Sequence, residues 1–163
     1  MVFKGPAGFQ RIIYIVMNLV IGILVGAAVT LFVVHAPLTL TGMIVSIALS
    51  FFIGYSVSDL VPAMAWGQAL VAKLGVKNPI AAHFISSAVL AFFMSVLILF
   101  FMAIINILGV GGFEAVLGFF VSAFPLVLAV VYVAILVFVP IGSKLAAAIS
   151  GFNPSQAKEP QRA

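Results

Sequence analysis

Of the 163 residues, 66% are hydrophobic and 6% are charged, and the mean hydropathy is +1.42; a soluble domain of that composition would have no polar surface, so the chain reads as an integral membrane protein. The net charge of +4 comes from basic residues scattered along the chain with no basic cluster interleaved with aromatics, which excludes a nucleic-acid footprint. The absence of cysteine excludes disulfides, thiolate chemistry and cysteine-held metals together.

A run of about 20 apolar residues is needed to cross a hydrocarbon layer about 30 Å thick. Four such runs are legible, Ile12 to Val34, Gly42 to Pro62, Ala81 to Leu108 and Glu114 to Val139. They predict an all-α, polytopic four-helix bundle in a single membrane domain, residues 1–163. The first run is longer than a signal-peptide core, and Pro37 directly follows the one plausible cleavage position at Ala36, so an uncleaved span is expected. Lys4 and Arg11 precede the first run, Lys73 and Lys77 lie between the second and third, and Lys144, Lys158 and Arg162 follow the fourth. The opposite loops, His35 to Thr41 and Gly109 to Glu114, hold no Lys or Arg. That asymmetry places both termini in the cytoplasm and the protein in the inner (plasma) membrane. Tyr14 and Trp66 fall where interfacial anchors are expected, and the polar tail 152–163 is expected to be disordered.

Hydrocarbon side chains gain little by leaving hydrocarbon, so helix association in lipid depends on close packing and interhelical hydrogen bonds. Small residues at four-residue spacing therefore mark contact faces. Asn18, Gly22, Gly26 and Thr30 share a stripe on the first span, and Ser46, Ser50, Gly54, Ser58 and Pro62 share one on the second. These two stripes are predicted to face each other, within the hairpin or across a dimer. Ser87, Ala91 and Ser95 on the third span and Gly118 and Ser122 on the fourth are shorter versions. Phe92, Phe93, Phe100 and Phe101 read as lipid-facing or gap-filling bulk. Pro125 predicts a kink in the fourth span, because the Val121 carbonyl loses its usual donor and Ser122 is the nearest substitute. Such a kink is either a static packing feature or a hinge.

Asp59 is the acidic residue within a span, and an ionised carboxylate at a helix centre costs about 2.5 to 3.5 kcal/mol. One reading gathers Asn18, Asp59, His83, Ser86 and Ser87 into a polar intramembrane site, where an imidazole beside a carboxylate relays protons or a cation is held. A second makes Ser58 or Asp59 the cap of a new helix with Pro62 in its first turn, leaving Leu60 to Leu74 at the interface. A third lets Asp59 snorkel to headgroups. Length favours the cap, since one straight helix from Gly42 to Leu74 would run about 50 Å. His83 also fits an interfacial contact to a headgroup or a backbone carbonyl. His35 belongs to the exposed outer turn, Glu114 begins the fourth helix, and Asn106 forms an interhelical hydrogen bond or lines an outer vestibule with Thr30.

The two halves overlay at an offset of about 77 residues, with Met17-Asn18 on Met94-Ser95 and Pro62 near Pro140. Repeat 1 spans about 12–75 and repeat 2 about 79–150, each a hairpin that starts and ends inside, which makes the repeats parallel. Met94, Ser95, Asn106, Gly109, Phe124, Pro125, Pro140 and Lys144 carry a resemblance to an uncharacterised family of small bacterial membrane proteins with two helices. The resemblance implies a tandem copy, the first half more diverged: Asn18 replaces the serine, its turn lacks an asparagine, and "SDLVPAMAWG" has no counterpart. The family brings no activity with it.

Enzyme templates find no intramembrane carboxylate pair, no histidine pair at ligand spacing, no glycine-flanked serine and no phosphate-cradling loop. No catalytic residue, metal set or cofactor is expected. Small-solute or ion transport by an oligomer is the leading functional expectation, because four helices alone enclose little beyond a packed core. The alternative is a non-catalytic partner or accessory subunit that binds other membrane proteins through its small-residue faces; a lipid-responsive structural protein is a third reading. The expected partners are the lipid bilayer and either further copies of the chain or another membrane protein.

Overall fold

A computed structural model of the chain describes residues 3–61 and 63–154, and the side chains of 57–60 and 110 lie outside that description. Helix α1 is Gly5–Phe32, α2 is Leu40–Leu60 and α3 is Ala63–Lys73. Helical hydrogen bonding then runs over Pro79–Ser150 and breaks at Gly112, where φ is 69° and ψ is −174°. This break yields α4, Pro79–Gly109, and α5, Gly111–Ser150. The described residues thus form five helices and no strand. Of these, α1, α4 and α5 are long and apolar enough to cross a membrane, whereas the apolar part of α2, Leu40–Ser56, is shorter.

The helix ends follow from local chemistry. Asn78 caps α4, its side-chain oxygen accepting from the N–H of Ile80 at 2.9 Å, and Pro79 fills the first turn, where no donor is needed. Val61 leaves the helical region between α2 and α3, as expected of a residue directly before a proline. Gly151 closes α5 in the left-handed conformation, φ 69°, with its N–H on the Ala147 carbonyl at 2.9 Å. The expected end of the fourth span at Val139 is therefore displaced to Ser150: helical dihedrals run through both Pro125 and Pro140. A proline removes one ladder bond without stopping a helix whose neighbours can serve the freed carbonyl.

Contacts across the chain fix the pairing. On α1 and α2, Asn18 meets Gly54, Gly22 meets Ser50 and Gly26 meets Ser46, so one number rises as the other falls and the helices are antiparallel. The α4–α5 pair is antiparallel too: His83 reaches Leu136, Phe84 meets Tyr132, and the Phe92 and Phe124 rings lie 6.0 Å apart. Trp66 stacks edge-on against Phe93 at 4.9 Å, and Gly67 lies over the Ser86 backbone, docking α3 lengthwise on the first half of α4. The N-terminal end of α1 meets the C-terminal end of α5, where the Lys4 ammonium donates to the Ile149 carbonyl at 3.1 Å. Phe9 and Phe152 pack edge to face beside it at 5.8 Å.

The large apolar core belongs to α1, α4 and α5. Ile13, Met17, Ile21 and Val25 of α1 interlock with Ala91, Met94, Ile98 and Leu99 of α4 and with Val127, Val131 and Ile135 of α5, all buried. Among the described residues of α2 no large side chain is buried; its buried residues there, Ser50 and Gly54, lie at its seam with α1.

Gly112 occupies a backbone region open almost only to glycine, where a side chain costs about 1 to 3 kcal/mol. Gly112→Ala is expected to lose that much stability in detergent, read by circular dichroism during chemical unfolding. Gly109→Ala, at an ordinary helical position with open space around it, is expected to lose nothing; equal losses would contradict the assignment of the break.

Candidate functional site

The seam between α1 and α2 is where glycine is indispensable. A Cβ on Gly22 would stand 3.2 Å from the Ser50 Cβ, and one on Gly26 would stand 3.2 Å from the Ser46 Cβ. A Cβ on Gly54 would collide with the Asn18 carboxamide. The missing methyls let the two backbones approach within reach of side-chain stubs, which is how helices without a hydrophobic drive associate in lipid. These contacts lie within one chain, so this face is occupied by the hairpin itself. Of the two stripes, Thr30 turns its hydroxyl to the Gly26 carbonyl at 2.7 Å, while the side chains of Ser58 and Asp59, and all of Pro62, lie outside the described residues. On α5, Gly118 and Ser122 are exposed and face away from the core.

Asn18 is 2% exposed and donates to the Tyr14 carbonyl of its own helix at 2.8 Å. It borders a cavity of about 30 Å³ otherwise lined by apolar side chains and Tyr14, among them Met17, Met64, Met94 and Ile135. That exceeds the roughly 10–15 Å³ of probe space needed to admit a water. His83, Ser86 and Ser87 are not on its walls. The Ser86 hydroxyl donates to the His83 carbonyl at 3.1 Å, and Ser87 is buried, 3% exposed. Asn18 thus lies at the α1–α2 seam, while His83 and Ser86 are joined to each other on α4.

His83 has a distinct local task. Pro140 has no N–H, so the carbonyl four residues before it, Leu136, lacks its ladder donor. His83 Nε2 stands 3.5 Å from that oxygen, at the outer limit of a hydrogen bond. With the proton on Nε2, the imidazole serves an orphaned carbonyl across the α4–α5 contact. The sequence signal for this pairing was a proline inside an apolar run with a histidine at matching depth on the antiparallel neighbour. Pro125, by contrast, has no such partner in Ser122, whose hydroxyl donates to the Phe119 carbonyl at 3.0 Å.

A chamber of about 450 Å³ lies at the end of the bundle away from Lys4 and Phe152. Gly26, Val29 and Thr30 of α1, Thr41, Val45, Ser46 and Leu49 of α2, Ile98, Leu99, Met102 and Asn106 of α4, and Phe119 of α5 line it. Thr30 and Asn106 thus border a common space. Thr41, Met102 and Phe119 carried no signal of their own; continuing the Gly26–Ser46 register one turn would have brought Thr30 opposite Gly42 beside them. The chamber shares no lining residue with the small cavity at Asn18.

No protein-family model, no curated protein and no solved structure matches this chain.

Loss of the imidazole should strip the Leu136 carbonyl of its donor, at about 0.5 to 1.5 kcal/mol. His83→Ala is expected to lose that stability in the native background and to lose little in a Pro140→Ala background, where the backbone N–H returns. A double-mutant cycle by chemical unfolding measures the difference; a coupling of zero would detach His83 from the proline.

Proposed function

We propose that the protein is a multi-pass inner-membrane protein with both termini in the cytoplasm, a tandem duplication of a two-helix hairpin. We read its role as non-catalytic binding within the bilayer, to another membrane protein or to further copies of itself. The closed interior at mid-depth carries this reading. Ala91, Ser95, Val127 and Val131 have no exposed surface, and the space at Asn18 is a small cavity of about 30 Å³, room for no more than a few waters. A solute path requires continuity between such spaces, and the two cavities have separate walls. The duplication is supported by the matched pairs Met17-Asn18 and Met94-Ser95, all four of which are buried.

One observation favours transport as a second reading. The stretch from α2 to α3 is interrupted at Val61, and Gly54, shortly before the interruption, lies against Asn18. Met64, just after it, sits beside Leu90 and Met94 in the middle of α4. Helices interrupted at mid-depth are the usual platform for substrate and ion sites in transporters. The binding role and the transport role part company over flux.

The native chain has no cysteine, so single cysteines report cleanly. In intact cells, an impermeant maleimide is expected to label Thr39→Cys and to leave Lys4→Cys unlabelled until the membrane is opened; the reverse pattern would invert the topology. In proteoliposomes with an internal pH dye, the native protein and Asp59→Asn are both expected to match protein-free vesicles. Native flux above that baseline, lost in Asp59→Asn, would replace the binding role with proton transport.

A further inference from the structure

From the chamber at the end of the bundle away from Lys4 and Phe152, we infer a lipid site: it takes one acyl chain of a diacyl membrane lipid, with the glycerol ester held at its rim. Its volume of about 450 Å³ lies within the roughly 300 to 1,000 Å³ of pockets that hold small hydrophobic ligands. Its polarity is graded along the bundle axis. Thr30, Thr41 and Asn106 stand at the rim, near the ends of their helices, while Val25, Leu49 and Ile98 form the floor. An amphiphile therefore has one orientation, hydrocarbon inward and polar end toward the membrane surface.

The rim decides what that polar end is. No charged residue lines the chamber, so neither a free carboxylate nor an ammonium finds a counter-charge there, and the recognised group is neutral. Thr30 has turned its hydroxyl hydrogen to the Gly26 carbonyl at 2.7 Å, and Asn106 has turned one N–H to the Met102 carbonyl at 2.7 Å. At the rim the donors left to face a ligand are the second N–H of Asn106 and the Thr41 hydroxyl, with the Ser46 hydroxyl deeper on the wall; all suit ester carbonyls, acceptors without a proton of their own.

The route in is lateral. Val45 on α2, 50% exposed, and the exposed Asn106 on α4 mark a mouth on the flank between those two helices. Farther along, α3 covers the same flank, with Gly67 over Ser86 and Trp66 against Phe93, so the opening ends where α3 begins. A void in this position would forfeit the dispersion contacts of its whole lining, and in a bilayer the surrounding material is acyl chain. The site depends on neither the direction in which the chain is inserted nor the binding role proposed above.

The test reconstitutes the full chain in phosphatidylcholine vesicles containing a trace of phosphatidylcholine with a diazirine midway along one acyl chain, followed by photolysis and mass-spectrometric mapping. Adducts are expected on the half-buried lining residues Val29 and Leu49 above those on the exposed α5 positions Val121 and Ile141. Met102→Trp, which fills the chamber, is expected to lose the chamber adducts and keep the α5 adducts; retained α5 labelling reports that the variant is folded. Asn106→Leu combined with Thr41→Val is expected to lower chamber labelling by the phospholipid while sparing labelling by a diazirine alkane without an ester. Native adducts spread evenly over all exposed apolar positions would overturn the proposal, since only surrounding lipid is then sampled. So would chamber labelling by the alkane alone, because the occupant would then be a free lipophile.

Discussion

Inside a bilayer no water is at hand to satisfy a carbonyl, and every backbone polar group has to find its partner within the protein. The same scarcity of water turns several polar side chains of the described residues onto backbone carbonyls of their own helix. Asn18 donates to Tyr14, Thr30 to Gly26, Asn106 to Met102 and Ser122 to Phe119, each a carbonyl three or four residues earlier on the same helix. His83 does the same service across a helix contact, where Pro140 has left Leu136 without a donor. At His83, a residue that looks like a catalytic or ion-binding candidate is in this way drawn into serving the backbone.

Two packing chemistries divide the fold. Between α1, α4 and α5 the contact is made by branched and long side chains such as Ile21, Ile98 and Val131, each almost fully buried. Between α1 and α2 it is made by glycine and serine, which give up side-chain volume to bring the backbones together. Shortly past Gly54 helix α2 gives way to α3, which lies on α4 instead. The chamber occupies the other end of that same flank, bordered by α2 and α4 with no third helix laid over them.

Much of this was legible in the sequence because its physics is local or periodic. The stripes on the first two spans can be read from spacing, and once antiparallel pairing is granted the register Gly22 with Ser50 follows by counting. The glycine-rich turn could also be read, although only the structure shows that Gly112 carries the unusual backbone and that Pro125 leaves the helical dihedrals intact. Less legible were events set by a neighbour. The continuation of α5 through Pro140 to Ser150 depends on partners contributed by α4 and α1, and the docking of α3 on α4 depends on Gly67 meeting a backbone that no sequence window contains. The polar cluster was the least legible, since residues at similar depth on different helices can point into different contacts, as Asn18 and His83 do.

The meeting of Lys4 and Phe9 with Ile149 and Phe152 joins an earlier-synthesised segment to one made well over a hundred residues later. On the ribosome, α1 and α2 can zip together as soon as both have been released, because their seam needs nothing further downstream. The opposite flank of α1, with Ile13, Met17 and Ile21, must wait in the insertion machinery or against lipid until α4 and α5 arrive. Assembly is therefore staged by the order of translation: an early hairpin holds a docking surface in reserve, and α5, released after α4, completes it.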